Sequence, residues 1–269
     1  MIRSGIITLL SDFGLSDPYV AMMKGVILSI NRNVDIIDIT HNIKVGSIFQ
    51  GAGIIKETWS YFPEGTVHVA VVDPGVGSTR RLMAVKAARH FFVGPDNGIF
   101  WPIIKNYSDT EMVELTRKNF FLPETTNTFH GRDVFAPVAA HISLGTTIKG
   151  LGSPITDPEK LKLPRPYQDD KGLNGQIIRI DNFGNLITNI TAKNLTDFLN
   201  GKSPVIFISE NKISEICHTY SDKDEGELIA LINSSDYLEI AVNMGRAVEY
   251  LKKAPDEIIG TAVRIGAIN

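Results

Sequence analysis

The sequence predicts a two-part chain: an α/β domain with a mostly parallel sheet over residues 1–152, and a smaller all-β domain over 173–269, joined by a linker at 153–172. Three observations carry this expectation. Apolar, strand-like runs alternate with helix signals through the first half, the pattern of strands connected by crossover helices. Residues 154–171 then turn polar, with prolines at Pro158, Pro164 and Pro166 and an Asp169-Asp170-Lys171-Gly172 ending, which suits a surface linker. Beyond it the signals are short strands separated by Gly, Asn and Asp turns, as in a small β-sandwich or barrel.

In order along the chain, Gly5–Leu10 is a first strand, stopped by the turn chemistry of Ser11-Asp12-Phe13-Gly14. Asp17-Pro18 reads as a helix start, with Asp as N-cap and Pro at the first helical position. The helix through Val20–Ile30 is apolar on most faces. Val34–Ile39 is the next strand. Ser47 and Gln50 have the spacing of a capping box opening a helix towards Tyr61. Thr66–Val72 is almost continuously apolar, as strands buried on both faces are. Leu82–Ala87 and His90–Val93 are short strands, and Asp133–Leu144 places Phe135, Val138, Ala139 and Ile142 at helical spacing. Asp133 is read as that helix's cap. In the second half the expected strands are Gly175–Ile180, Asn185–Ile190, Pro204–Ser209, Glu227–Asn233, Tyr237–Val242 and Thr261–Ile265, with one helix at about Ala247–Lys253.

Composition narrows the function classes. With 43% hydrophobic and 21% charged residues, the 269-residue chain can bury a sizeable core and is expected to be soluble. A formal charge of −3 and a pI near 6.1 offer no broad basic field, so nucleic acid and anionic membranes are not expected partners. The single cysteine, Cys217, excludes an intrachain disulfide. The start of the chain lacks a signal-peptide pattern and no run reaches a membrane-spanning length, so a cytoplasmic location is expected.

The strongest local signal is Val72-Asp73-Pro74-Gly75-Val76-Gly77-Ser78-Thr79-Arg80-Arg81, an apolar strand ending in an acid, a Gly-rich loop and paired arginines. Ligands of open α/β sheets bind beyond the carboxyl ends of strands, where Asp73 would lie; the competing reading is a tight turn in which Asp caps its own backbone. Thr128-Phe129-His130-Gly131-Arg132-Asp133 offers a histidine before an apolar helix, and histidine exchanges protons near neutral pH. Ser11-Asp12, Gly94-Pro95-Asp96-Asn97-Gly98 and Asp181-Asn182-Phe183-Gly184-Asn185 lie at strand ends, each with an ordinary turn as its alternative. No P-loop and no Gly-x-Gly-x-x-Gly after a strand is present. The six histidines show no metal-binding spacing; Asp12, Asp73 and Asp96 are the carboxylates that would have to converge on Mg²⁺, and no metal site is expected.

Taken together, Leu10–Gly14, Asp38-Ile39-Thr40-His41, Val72–Gly77, Gly94–Gly98, Phe129–Asp133 and Arg179–Asn185 resemble the S-adenosylmethionine (SAM) hydroxide adenosyltransferases, relatives of fluorinating and chlorinating halogenases. The resemblance implies a Rossmann-like N-terminal domain and a C-terminal β-barrel. It implies hydrolysis of SAM to adenosine and methionine by attack of water at the ribose C5′, without a cofactor, in a homotrimer with sites between neighbouring subunits. By motif position it makes Asp73, Arg80 and His130 catalytic, with Arg81 the adjacent alternative to Arg80, and leaves open whether Asp73 or His130 takes the proton. Asp12 would hold the ribose, Asp181 the methionine ammonium, and Phe183 and Asn185 the adenine. Asn97, Phe129, Ser234 and the Val242–Met244 stretch complete the substrate-binding candidates. Two departures from the halogenase pattern favour water over halide: Asp73 stands where halogenases carry tyrosine, and Gly131 where they carry serine. A carboxylate repels a halide but accepts hydrogen bonds from water. A further aromatic that halogenases set against the ribose is Gly46 here. The alternatives are a halide-using adenosyltransferase and a nucleoside-binding module with little turnover.

Overall fold

The computed structural model describes residues 3–251 and 254–268, which form two compact units, 1–162 and 163–269. In the first unit the elements are β1 (Ile6–Ser11), α1 (Tyr19–Ile30), β2 (Asp35–Thr40), α2 (Ile48–Thr58), β3 (Val67–Val71), β4 (Leu82–Ala87), β5 (His90–Pro95), α3 (Trp101–Ile104), β6 (Glu111–Leu115), a π-helical turn at Gly131–Phe135 running into α4 (Ala136–Leu144), and β7 (Gly152–Pro154). The sheet order is β2-β1-β3-β5-β4-β6-β7. The first four of these strands are parallel and the last three are added antiparallel.

Period-2 patterning builds the three layers. Val67, Val69 and Val71 of β3 face a cluster with Met23 and Ile27 of α1 and Val138 and Ile142 of α4; Ala70 and Val72 face the other way, with Ala52 and Ile55 of α2 and Ile103 of α3. The chain steps from β1 outward to β2 and then back past β1 to β3, so the strand order reverses between β1 and β3. In open α/β sheets that switch point is where a crevice opens at the carboxyl ends of the strands. Gly94 lets β5 pass close to β3, since a Cβ there would lie 2.3 Å from the Ala70 carbonyl oxygen.

The second unit contains β8 (Tyr167–Asp169), β9 (Gly172–Ile180), β10 (Leu186–Thr191), α5 (Ala192–Leu199), β11 (Ser203–Ile208), β12 (Asn211–Ile213), β13 (Leu228–Ile232), β14 (Tyr237–Val242), the short helices α6 (Ala247–Tyr250) and α7 (Pro255–Ile258), and β15 (Ala262–Ile268). Its barrel-like antiparallel sheet runs β12-β11-β15-β9-β10-β14-β13, with β8 beside β9. Ile177, Ile190, Ile206, Ile240, Val263 and Ile265 fill its core.

Several local expectations are corrected. Helix α1 starts at Tyr19 with Pro18 in the capping position and no side-chain cap, so Asp17 is not its N-cap. Ser47 does cap α2, but Gln50 spends its side-chain oxygen on the Lys44 amide, leaving half a capping box. Asp133 sits inside the π turn instead of capping a helix. Helix α5 was not anticipated, although Thr191 and Asn194 form a full capping box at its start. Strand β6 was missed as well. The helix expected to reach Lys253 is observed over Ala247–Tyr250; Lys253 lies outside the described residues.

Candidate active site

Asp73 follows β3 by two residues and Asp12 follows β1 by one, and Ser11 pairs with Val71 across those strands. The switch point therefore carries two carboxylates from neighbouring parallel strands. The loop after Asp73 turns back on itself at Gly77, whose φ of +79° and close approach to the Asn127 carbonyl oxygen leave no place for a side chain. That return brings Arg80 onto Asp73. Arg80 Nε donates to Asp73 Oδ1 at 2.6 Å and Nη2 donates to Oδ2. The same Nη2 lies 2.9 Å from His130 Nδ1. Both side chains of the ion pair are buried, Asp73 at 5% and Arg80 at 9% exposure. Arg80 Nη1 is buried as well and has no hydrogen-bond partner among the described residues.

These contacts fix the state of His130. An arginine can only donate, so His130 Nδ1 accepts and the ring carries its proton on Nε2. Burial, and then the Arg80 charge, hold its pKa below the ordinary imidazole value against the opposing pull of Asp73 and Asp133. The π turn that begins after His130 is pinned by Asp133, which is fully buried. Asp133 Oδ2 accepts from the Thr126 amide at 2.8 Å and hydroxyl at 2.7 Å, and Arg132 Nε reaches Oδ1 at 2.6 Å. A π turn widens the helix by one residue and is common at functional sites; here it places His130 at the start of the widened turn.

Arg81 turns the other way. Its Nε donates to Asp96 Oδ2 and its two terminal nitrogens to the side chain and carbonyl of Asp157, while Asp96 Oδ1 accepts from the Glu159 amide. Arg80, not its neighbour, faces Asp73. Asp96 is committed to this clasp and Asp73 to Arg80. Among the described residues no group of three or more His, Cys, Asp or Glu side chains is placed to hold a metal ion. Asn97 is likewise engaged with backbone, its amide on the Val72 carbonyl at 2.8 Å and its oxygen on the Ile99 amide at 3.2 Å. Its observed contact is with the residue preceding Asp73.

Asp12 Oδ2 accepts from the Gly46 amide at 2.8 Å. The turn that bears it is held by a chain that runs from the buried Ser11 and His41 out to the surface. Ser11 Oγ meets His41 Nδ1 at 2.7 Å, and His41 Nε2 lies 3.1 Å from Asp38 Oδ1, off the line of a hydrogen bond. Lys24 completes the chain with Asp38 at 2.6 Å. Phe129 stacks edge-on with Phe13 and Tyr19, and the Arg132 guanidinium lies 5.0 Å above its ring. These residues line a cavity of about 410 Å³ together with Met22, Thr126 and Thr128.

In the second unit, Asp181, Phe183 and Asn185 lie in the β9–β10 turn. Asp181 accepts from the Asn185 amide at 2.8 Å and side chain at 3.1 Å, which closes the turn and leaves Phe183 73% exposed. The same end of the sheet carries Val242 and Met244, because the Val248 amide donates to the Gly184 carbonyl at 3.0 Å and Arg246 reaches the Asn182 carbonyl. Ser234 lies elsewhere. It is exposed in the β13–β14 turn, at the opposite end of β14 from Val242. Two residues that sequence reasoning did not single out meet inside this sheet: Glu239, in the middle of β14, accepts from the Tyr220 hydroxyl at 2.7 Å. A lone acid inside the apolar run Tyr237–Val242 was the signal for the first.

Both units match family models: residues 7–152 match the SAM hydroxide adenosyltransferase N-terminal domain and residues 175–259 its C-terminal domain. The chain belongs to the SAM hydroxide adenosyltransferase family. It is 33% identical to the (R)-S-adenosyl-L-methionine hydrolase of Salinispora tropica, over 93% of this chain and 95% of that one. Identity to the fluorinase of Nocardia brasiliensis is 28%, over 98% of each. The crystal structure of a conserved protein from Thermotoga maritima superimposes with a TM-score of 0.87 at 32% identity, covering 96% of this chain and 99% of that one. Within this SAM hydroxide adenosyltransferase, Gly131 is tightly enclosed. A Cβ there would come within 3.2 Å of Phe129, 3.3 Å of Met23 and 3.4 Å of Phe13.

Proposed function

We propose that this SAM hydroxide adenosyltransferase hydrolyses S-adenosyl-L-methionine to adenosine and L-methionine. We further propose that it takes the R form, as the name of its Salinispora relative specifies. Since L fixes the α-carbon, R describes the sulfonium. The observation that carries the proposal is the buried Asp73 carboxylate held at both oxygens by Arg80, which in turn engages His130.

The chemistry suits that arrangement. The sulfonium leaves as a neutral thioether, so no acid is needed at the leaving group. The remaining task is to hold one water in line with C5′, and orientation of this kind contributes up to about 7–11 kcal/mol in the best-aligned systems. Each Asp73 oxygen keeps a lone pair beyond its Arg80 bond, and Arg80 Nη1 is a donor beside it. A water that donates to Asp73 and accepts from Arg80 is thereby oriented. A carboxylate is a weak base. A weak base suffices, because the attacking water becomes strongly acidic as its oxygen bonds to carbon, and the proton leaves late. Asp73 is the proposed acceptor. His130 already spends Nδ1 on Arg80 and carries its proton on Nε2, so it serves to fix the arginine. The Asp73 carboxylate also disfavours a halide in the same place.

Asp12 is proposed to bind the ribose hydroxyls, Phe129 to line the substrate pocket, and Asn97 to support Asp73 through Val72. Asp181, Phe183, Asn185, Ser234, Val242 and Met244 are proposed to bind the substrate from a neighbouring subunit of a homotrimer. Exposed Phe183 and Met244 suit that role. No metal or cofactor is proposed to take part, and the location is proposed to be cytoplasmic; no helix among the described residues is long and apolar enough to cross a membrane. The test is to incubate the protein with each sulfonium epimer, with and without a chelator, and to separate the products. Adenosine and methionine in equal amounts from the R epimer, unaffected by chelator, are expected; a stable R epimer would overturn the proposal. Light scattering tests the trimer.

A further inference from the structure

The turn that presents Asp12 leaves the sheet where strand pairing on one side stops being regular. Strands β1 and β2 run in register from Ile6 beside Asp35 to Leu9 beside Asp38; then the register slips, and Leu10 pairs with Thr40. On the other side Ser11 is still in register with Val71 of β3. Past the slip, the β2 side of the turn is held by His41, which is 3% exposed. Its Nδ1 meets Ser11 Oγ at 2.7 Å, and its carbonyl accepts from the Gly14 amide at 2.8 Å. His41 therefore grips the turn before and after Asp12. Ser11 Oγ accepts from the Phe13 amide at 3.3 Å, so the place of that hydroxyl sets the bend of the turn. With its oxygen accepting from Phe13, the hydroxyl donates to His41 Nδ1. The ring proton is then on Nε2, 3.1 Å from Asp38 Oδ1. Lys24 of α1 holds that carboxylate by its other oxygen at 2.6 Å.

We propose that His41 is a positioning residue for Asp12, acting through Ser11 and the turn and not on the substrate. The inference rests on the ribose role proposed above for Asp12. Asp12 Oδ2 is taken by the Gly46 amide at 2.8 Å, so the aim of the other oxygen follows from where the turn stands. Recognition by such a group needs it held within about 0.5 Å of its working position. Ser11, His41 and Asp38 also have the composition of a hydrolytic triad. Ser11 is 1% exposed and its oxygen is committed to the Phe13 amide, so no substrate reaches it. The set holds the turn.

The test reads the split between KM and kcat for SAM, with the affinity for adenosine, which carries the same ribose, beside it. His41→Ala is expected to raise KM about tenfold and weaken adenosine about tenfold, with kcat within about twofold of the parent. His41→Asn, whose side-chain amide falls where Nδ1 lies, is expected to bring both back to within about threefold of the parent. His41→Gln, whose amide falls where Nε2 lies, is not. Because His41 acts through Asp12, adding His41→Ala to Asp12→Ala is expected to weaken adenosine no further. Should His41→Ala fail to fold, Ser11→Ala removes the same contact from the smaller side chain and decides the matter on the same readouts. Unchanged KM and adenosine affinity, a fall in kcat alone, or effects that add in the double variant overturn the proposal. A parent protein that binds adenosine without cleaving SAM removes the proposed reaction and leaves this test standing on adenosine; one that binds neither overturns both.

Discussion

The two ends of the parallel sheet in the first unit both carry histidine, buried at one end and half-buried at the other, and they treat it differently. Near the amino ends of the strands, Thr8 Oγ1, His68 and His90 form a chain of neutral groups, with contacts of 2.8 and 3.1 Å, stacked among Phe92 and Trp59. Burial, helped by His90, pushes the pKa of His68 down to about 3. Near the carboxyl ends, His130 meets an ion pair, Arg80 and Asp73, at the switch point. One end satisfies its polar groups among themselves and contributes stability. The other concentrates charge where the strand order reverses and a ligand can enter. Burial alone therefore does not mark a functional histidine; a charged partner at the switch point does.

The contrast can be broken by substitution. Asp73→Ala is expected to lower kcat about a thousandfold while adenosine affinity is kept, within the range for loss of a proton acceptor; turnover within tenfold of the parent would contradict its role. Arg80→Lys keeps the charge but loses the forked contact to Asp73, and a loss of about a hundredfold in kcat is expected. Arg81→Lys, one residue on, is expected to leave kcat alone and lower the melting temperature, because Arg81 clasps Asp96 and Asp157. Equal kinetic effects of the two lysine variants would count against the geometry. For Asp12→Ala the expectation is a KM raised about tenfold with kcat nearly retained, as for a lost hydrogen bond to a charged group.

A further expected effect concerns the amino ends. The folded-state pKa of His68 is depressed, so the unfolded chain binds more protons between pH 6.5 and about 3. The stability that His68 contributes is complete above that window and is lost as pH falls through it, by up to about 1.4 kcal/mol per pH unit. Thermal melts from pH 7 to pH 5 should show a shallower decline in His68→Gln than in the parent; parallel declines would assign the acid sensitivity elsewhere.

Much of this was legible in the residues. Asp73 stood out because an apolar strand ended in an acid and a Gly-rich loop, and Thr66–Val72 read as a doubly buried strand because it lacked polar alternation. What was not legible depended on direction. Arg80 and Arg81 are chemically identical neighbours, and only the turn at Gly77 sends one to Asp73 and the other to Asp96. Asp133 looked like a cap because capping is the commonest use of an acid before a helix, yet its partner is Thr126, in the preceding loop. Asn97 reads as a turn residue or a substrate contact, and its amide is spent on the Val72 carbonyl. The distance between Ser234 and Met244 along β14 could not be felt from a motif match, since a match preserves order and says nothing of strand direction. Glu239 was overlooked because its strand was counted for its apolar residues.

The most direct test of the central claim is turnover in ¹⁸O-water followed by mass spectrometry of both products. Attack of an Asp73-bound water at C5′ predicts adenosine with the label in its 5′ hydroxyl and methionine without it. Adenosine formed without the label, or label found in methionine, would contradict it.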